Sequence, residues 1–201
     1  MSRGNPYGKF QIGEDGVTYK GRQYPFTAIK HIFFGRLLTE QRMNFMKVGT
    51  PETAVLSLTM TDGTEVEVTI DETGFLLGWN KDRKQEITEL SQAYAFLAGM
   101  TFPQRLLQYE RQLATESYFQ HGDCRFYPPE RILFRNTEFR IPETDLVRVY
   151  GCVVLMPKRR SFLDRLKSEL PFSKTPHFST LTDGDVVFHL LKKYFGLCWQ
   201  D

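Results

Sequence analysis

Four histidines, His31, His121, His177 and His189, are scattered along the chain, and one of them stands in a tight polar group. That group is "HGDC", with His121, Asp123 and Cys124 in one short stretch. A metal ion needs three or four ligands arranged around it. This trio has no distant pair to complete a shell, so it reads as a solvated turn between two halves of the chain. Among the carboxylates, Glu65 and Glu67 fall on the outer face of an alternating strand, while Glu14 and Asp15 sit in a turn. Acid–base catalysis needs carboxyls held in contrasting environments, and neither pair shows a reason for contrast. The chain also lacks a Gly-rich phosphate loop, a GxSxG elbow and an HExxH pair. These residues predict a protein that is not an enzyme and that uses neither metal nor cofactor.

Binding chemistry is concentrated in "PKRRSFLDRLK". Lys158, Arg159, Arg160, Arg165 and Lys167 supply positive charge there, with Phe162 and Leu163 between them. Cations interleaved with apolar side chains can rest on an anionic membrane, at about 1 kcal/mol per cation near the surface. They can equally meet an acidic protein surface, or remain a solvated loop. A net charge of +2 is too small for a nucleic-acid binder, which usually carries a strongly basic face. No run of apolar residues is long enough to span a bilayer, and "MSRGNPYGKF" lacks the apolar core of a secretory signal. Cys124, Cys152 and Cys198 are odd in number and widely spaced, which suits free thiols in a reducing cytoplasm.

The elements that must carry these residues are mostly strands. The chain has 17 Phe and 9 Tyr, a composition that favours strands over a helical bundle. Residues from Phe10 to Tyr24 alternate around turns at Glu14-Asp15-Gly16 and Gly21. In "TAVLSLTMTDGTEVEVTI" a three-residue loop, Thr61-Asp62-Gly63, pairs Leu58 with Val66 and Leu56 with Val68, and places Gly63 in a left-handed position. The period then changes. Ile87, Leu90, Tyr94 and Leu97 form a helical stripe ending at Gly99, and Thr101 is a good N-cap for a second helix on Phe102, Leu106, Tyr109 and Leu113. Arg105, Glu110 and Arg111 lie off that stripe. Arg125 to Phe134, Thr137 to Ile141 and Val147 to Met156 read as further strands, and Phe162 to Leu170 as a short helix. In "LTDGDVVFHLLKKYFGL", Thr182 with Asp185 resembles a capping box, and Gly196 ends the helix.

Two stretches share one rhythm. Without gaps, Val17, Tyr19, Tyr24 and Phe26 match Ile132, Phe134, Phe139 and Ile141, while Ile29 and Ile32 match Leu146 and Val149 after a two-residue insertion around Pro142. Each half goes on through more strands to an amphipathic helix, which is the signature of a duplicated β-domain. "GVTYKGRQYPFTAIKHI", and "ILFRNTEFRIPETDLVRV" in the second half, resemble the opening of small bacterial pleckstrin-homology-like domains. That resemblance implies a mainly β protein with some α: two barrels, each a bent antiparallel sheet closed by a C-terminal amphipathic helix. The first would cover 1–121, with helices at about 86–99 and 101–119. The second would cover 122–201, with its helix at about 183–196.

Lipid-binding members of that superfold use basic residues near the loop between the first two strands. Here the loops are "GEDG" and "YPPER", the first acidic and the second with Arg131 beside Glu130. The expectation is therefore a cytoplasmic binding or scaffolding protein with a protein or peptide partner. The binding candidates are Lys158, Arg159, Arg160, Phe162, Arg165 and Lys167. Peripheral contact of that segment with an anionic inner membrane surface is the alternative, and a small-ligand site between the halves is a third reading.

Overall fold

The computed structural model describes residues 10–38, 41–43, 46–49, 52–71, 81–149, 151–158 and 176–197. They form a mixed α/β structure of small antiparallel sheets and two helices, one of them long. Among the described residues no sheet closes on itself, and no helix is long and apolar enough to cross a membrane. The chain divides into two compact units, 1–102 and 103–201.

In the first unit β1 (Phe10–Ile12), β2 (Gly16–Tyr19) and β3 (Arg22–Pro25) form a meander. A single 3-10 turn, Phe26–Ala28, leads into β4 (Ile29–Leu38). After a two-stranded ribbon, β5 (Gln41–Met43) and β6 (Met46–Gly49), come β7 (Glu52–Met60) and β8 (Glu65–Asp71), in the order β4-β7-β8. Strict alternation decides what β7 and β8 bury. Ala54, Leu56, Leu58 and Met60 point inward with Val66, Val68 and Ile70. The register joins Leu56 to Val68 and Leu58 to Val66 across the expected loop, with Gly63 at φ 82°. Helix α1 (Lys81–Glu116) adds Ile87, Leu90 and Leu97 to this core.

Where two helices were expected, one runs unbroken. Gly99 is not left-handed, and the buried Thr101 hydroxyl donates back to Leu97 O at 2.7 Å instead of capping a new helix. Pro103 lies inside the helix and withdraws the N–H that Gly99 O would accept, without ending it. The division between the two units falls beside it, between Phe102 and Pro103.

Much of the second unit parallels the first, without a counterpart of the β5–β6 ribbon. Ahead of the repeated part stands β9 (Phe119–His121), paired with β10 (Cys124–Tyr127). Then β11 (Arg131–Phe134), β12 (Thr137–Arg140), a 3-10 turn at Ile141–Glu143 and β13 (Thr144–Val149) start 115 residues after β2, β3, the first 3-10 turn and β4. Pair registers agree, Val17 with Tyr24 and Ile132 with Phe139. So does a tertiary bond: Phe26 N donates to Asp15 O, and Ile141 N to Glu130 O. The two-residue insertion expected around Pro142 is absent, and Ile29 answers to Thr144 (offset 144 − 29 = 115). A bulge at Lys30, between Ile29 and His31, explains the misalignment. It resets the alternation so that Ile29 and Ile32 are both buried, a spacing that β13 does not share.

Val147 to Met156 is likewise not one strand. It reverses at Gly151 (φ 77°), so β13 pairs with β14 (Cys152–Pro157), which pairs in turn with β15 (His177–Ser179). The chain then enters α2 (Gly184–Phe195), whose C-terminus is closed by Gly196 at φ 67°. Phe119 stacks on Phe126, with ring centres 4.7 Å apart, and Phe178 meets Phe126 edge-on in this second core.

Gly16 is the tightest backbone approach in the first meander: a Cβ there would stand 2.1 Å from Tyr24 O, on the paired strand. Gly16→Ala is expected to destabilise the protein by about 1–3 kcal/mol through overpacking. Gly13→Ala, whose Cβ would have an ordinary 3.6 Å contact, serves as the control. Denaturant unfolding of both variants checks this, and equal losses would contradict it.

Candidate functional site

Most of the expected binding segment lies beyond the described residues. Arg159, Arg160, Phe162, Arg165, Lys167 and the proposed helix from Phe162 to Leu170 fall outside them. Lys158 is described. It is exposed, and its ammonium donates to Pro142 O at 2.8 Å while its backbone N–H donates to Glu143 O. Lys158 thereby ties the end of β14 to the second 3-10 turn.

The described residues bring together a different group, inside the second unit. Arg105 of α1 is 1 % exposed. Its guanidinium grips Asp185 with two bonds, Nη1 to Oδ1 at 2.9 Å and Nη2 to Oδ2 at 2.7 Å. Nη1 also donates to Asp183 Oδ1 at 3.0 Å, and the Asp183 side chain is fully buried. The other oxygen of Asp183, Oδ2, lies 3.3 Å from the Tyr109 hydroxyl. That hydroxyl lies 3.2 Å from His121 Nδ1, and His121 Nε2 reaches Ser179 O at 2.7 Å. The chain of contacts thus runs from α1 to the start of α2, to β9 and to β15.

Local structure explains each placement. Thr101, Arg105 and Tyr109 recur every four residues along α1 and are all buried. Of the expected stripe, Tyr109 is buried, while Phe102, Leu106 and Leu113 are only half-buried; Arg105, expected off that stripe, is buried as well. Asp183, not Thr182, occupies the N-cap of α2, with left-handed φ 48° and no side-chain cap bond. Its carboxylate turns to Arg105, and Asp185 likewise serves Arg105, so the expected capping box does not form. Both carboxylates sit at the positive end of the α2 dipole.

"HGDC" is a turn with Gly122 and Asp123 exposed, as expected, but His121 and Cys124 on either side of it are buried, His121 only 5 % exposed. Asp123 is exposed and pairs with Arg135 at 2.9 Å, and Cys124 turns inward toward His177 O. The three side chains diverge. Among the described residues no group of three or more His, Cys, Asp or Glu could hold a metal ion.

The electrostatics follow from burial. Burial works against the Arg105 charge, but the bonds and charges of Asp185 and then Asp183 outweigh it and hold its pKa above the ordinary value. Burial, reinforced by the charge of Asp183, pushes the Tyr109 phenol strongly upward. Burial lifts the Cys124 thiol to about 12, so it stays protonated near neutrality. A phenol and a thiol shifted this way are poor nucleophiles. The arrangement is suited to fastening elements together.

No family model, curated protein or solved structure matches this chain.

Breaking a buried ion pair from one side leaves an uncompensated charge. Arg105→Met is therefore expected to cost about 3–5 kcal/mol of stability. Asp183→Asn added to it should recover part of the loss, because the stranded charge is removed. Urea unfolding of the single and double variants measures both. Equal stability of the wild type and Arg105→Met would refute the fastening role.

Proposed function

We propose that this chain is a cytoplasmic, non-enzymatic binding or scaffolding protein built from two pleckstrin-homology-like units, with a protein or peptide as its partner. The observation that carries the reading is the repeat. Leaving aside the β5–β6 ribbon of the first unit and β9 of the second, three strands, a 3-10 turn and three more strands occur in each unit in matching sheet order, each set followed by helix. Antiparallel strands followed by a helix are the part of the resemblance that the described residues share; the barrels it implies are not among them, since no described sheet closes on itself. The buried polar group supports a role other than catalysis, since its bonds are made to other parts of the same unit.

Strand addition is the recognition mode with the best physical support. Leu37 and Leu38, at the end of β4, are 63 % and 65 % exposed. Among the described residues β4 is an edge strand of its sheet, paired with β7 through Leu37↔Thr53 and Leu38↔Glu52. Exposed apolar side chains on a sheet edge are a liability that proteins usually blunt, unless another strand covers them.

The test starts from affinity capture with the full chain, followed by titration of the purified captured protein. Leu37→Asp with Leu38→Asp should weaken that binding at least tenfold, about 1.4 kcal/mol, with unchanged circular dichroism. Flotation with anionic vesicles at low salt should leave the chain unbound. Vesicle binding that disappears in Arg159→Glu/Arg160→Glu would replace this reading with a membrane role.

A further inference from the structure

The first sheet of the second unit, in the order β12-β11-β10-β9, carries charge on its outer face that the fold does not require. Alternation turns Cys124, Phe126, Ile132, Phe134 and Phe139 inward, where they are buried. The residues between them face outward, and the register sets them in rows. One row is Tyr127, Arg131 and Arg140, directly opposite one another on three strands. The next is Arg125, Leu133 and Glu138. All three arginines are exposed.

Two tyrosines steady two of these arginines. Arg131 lies over the Tyr127 ring, 4.1 Å from its centre, and Arg125 over the ring of Tyr118, just ahead of β9, at 5.5 Å. The two rings are 5.1 Å apart. A guanidinium stacked on a ring has lost much of its freedom, while its planar fork of N–H donors still matches a carboxylate. Those donors are lightly used. Among the described residues, the one hydrogen bond from the three guanidiniums is Arg140 Nε to Glu138 Oε1, at 3.4 Å. Arg131 Nη1 is 3.6 Å from the other Glu138 oxygen, and Arg125 has no carboxylate partner among the described residues. The two rows therefore set three positive charges against the single carboxylate of Glu138.

The first unit keeps the same register without the charge. Val17 answers to Ile132, so Arg131 and Arg140 answer to Gly16 and Pro25. Arg125, opposite Leu133, answers to Gln11, opposite Thr18. The meander forms there with no arginine at any of the three positions.

Spacing and surroundings select an occupant. Arg131 and Arg125 are diagonal neighbours on adjacent strands, about 7–8 Å apart. Alternate side chains of an extended peptide are about 6.6 Å apart, so acidic residues at every second position can reach both. Nucleic acid fits less well, since unstacked bases need open aromatic faces, and each ring here has a guanidinium over it.

We propose that this face binds a peptide with acidic residues at alternate positions, laid extended on the sheet, with Arg125, Arg131 and Arg140 taking its carboxylates. The proposal rests on the reading of the chain as a peptide binder, and adds a second surface that does not involve Leu37 or Leu38.

The test is fluorescence anisotropy of a labelled peptide of alternating Glu and Val, titrated with the full chain at low salt. Saturable binding is expected, weakening toward about 0.15 M salt and lost when Gln replaces Glu in the peptide. Arg125→Gln with Arg131→Gln should weaken it about tenfold or more, with unchanged circular dichroism. Arg131→Gln alone should weaken it measurably, whereas Arg135→Gln, an equal loss of charge in the turn after β11, should not. No binding at low salt, equal effects of Arg131→Gln and Arg135→Gln, or tighter binding of a thymidine oligonucleotide of the same length would each overturn the proposal. Leu37→Asp with Leu38→Asp should bind this peptide as the wild type does. If the peptide fails to bind while a captured partner still depends on Leu37 and Leu38, this proposal falls and the reading of β4 stands.

Discussion

The second unit depends on one interaction more than any other, the grip of Arg105 on Asp183 and Asp185. Taking these charges out of water costs several kcal/mol per ion, and that cost is recovered only with good geometry and saturated hydrogen bonding. Both conditions are met by the two-point contact with Asp185 and by the division of Asp183 between Arg105 and Tyr109. What the interaction secures is position. A helix of 12 residues such as α2 is marginal by itself. Its apolar face, Val186, Val187, Leu190 and Leu191, supplies burial, yet hydrocarbon contact alone tolerates sliding and rotation. The bidentate pair fixes where the helix begins. It also accounts for the left-handed Asp183: an unfavourable backbone angle is tolerated where the side chain has a demanding place to be.

Comparison of the two units shows what this fastening is for. In the first, the buried side of α1 within 81–102 is largely apolar, and the helix follows directly on the strands whose core it covers. The second unit has its own covering helix, α2, and in addition the stretch of α1 after Pro103 and strand β9. These extra elements come before the repeated part in sequence. The buried polar group lies where they meet the repeated part. Arg105, Tyr109 and His121 belong to the additions, while Asp183, Asp185 and Ser179 belong to the repeat. In the second unit these added elements meet the rest through charge and hydrogen bonds, which specify one arrangement more narrowly than apolar contact does.

That division also separates what was legible in the sequence from what was not. Strands with one buried face alternate, so Leu56, Leu58, Val66 and Val68 declared both their faces and their register, and Gly63 declared the loop. The repeat was visible because its matching positions, Val17 and Ile132 among them, are core positions. Three features escaped. The bulge at Lys30 breaks alternation without any Gly or Pro to mark it, and it displaced the alignment beyond the 3-10 turn. Gly151, a single glycine between apolar residues, conceals a hairpin that reads as one long strand. The buried group escaped because Arg105, Asp183 and His121 are residue types normally found in water. Arg105 and its two carboxylates lie about eighty residues apart in the chain and His121 and Ser179 nearly sixty, and no local pattern reports pairings of that range. One signal lay in the sequence: Arg105 stands four residues from Thr101, expected as a cap, and four from Tyr109, expected on the buried stripe, yet its charge set it off that stripe.

The two units differ again at the far end of β4. β4 has 10 residues and its counterpart β13 has 6. Ile29 and Ile32 complete the core contact early in β4, and Phe34 stacks on Tyr94 of α1 with ring centres 4.7 Å apart. Everything the core requires of the strand is finished by that point. Beyond it, Leu37 and Leu38 continue in register with β7, apolar and more than half exposed. Side chains of this type lose by facing water, at about 25 cal/mol per Å². On the longer of the two corresponding strands, Leu37 and Leu38 therefore extend the pairing with β7 without adding to the buried core.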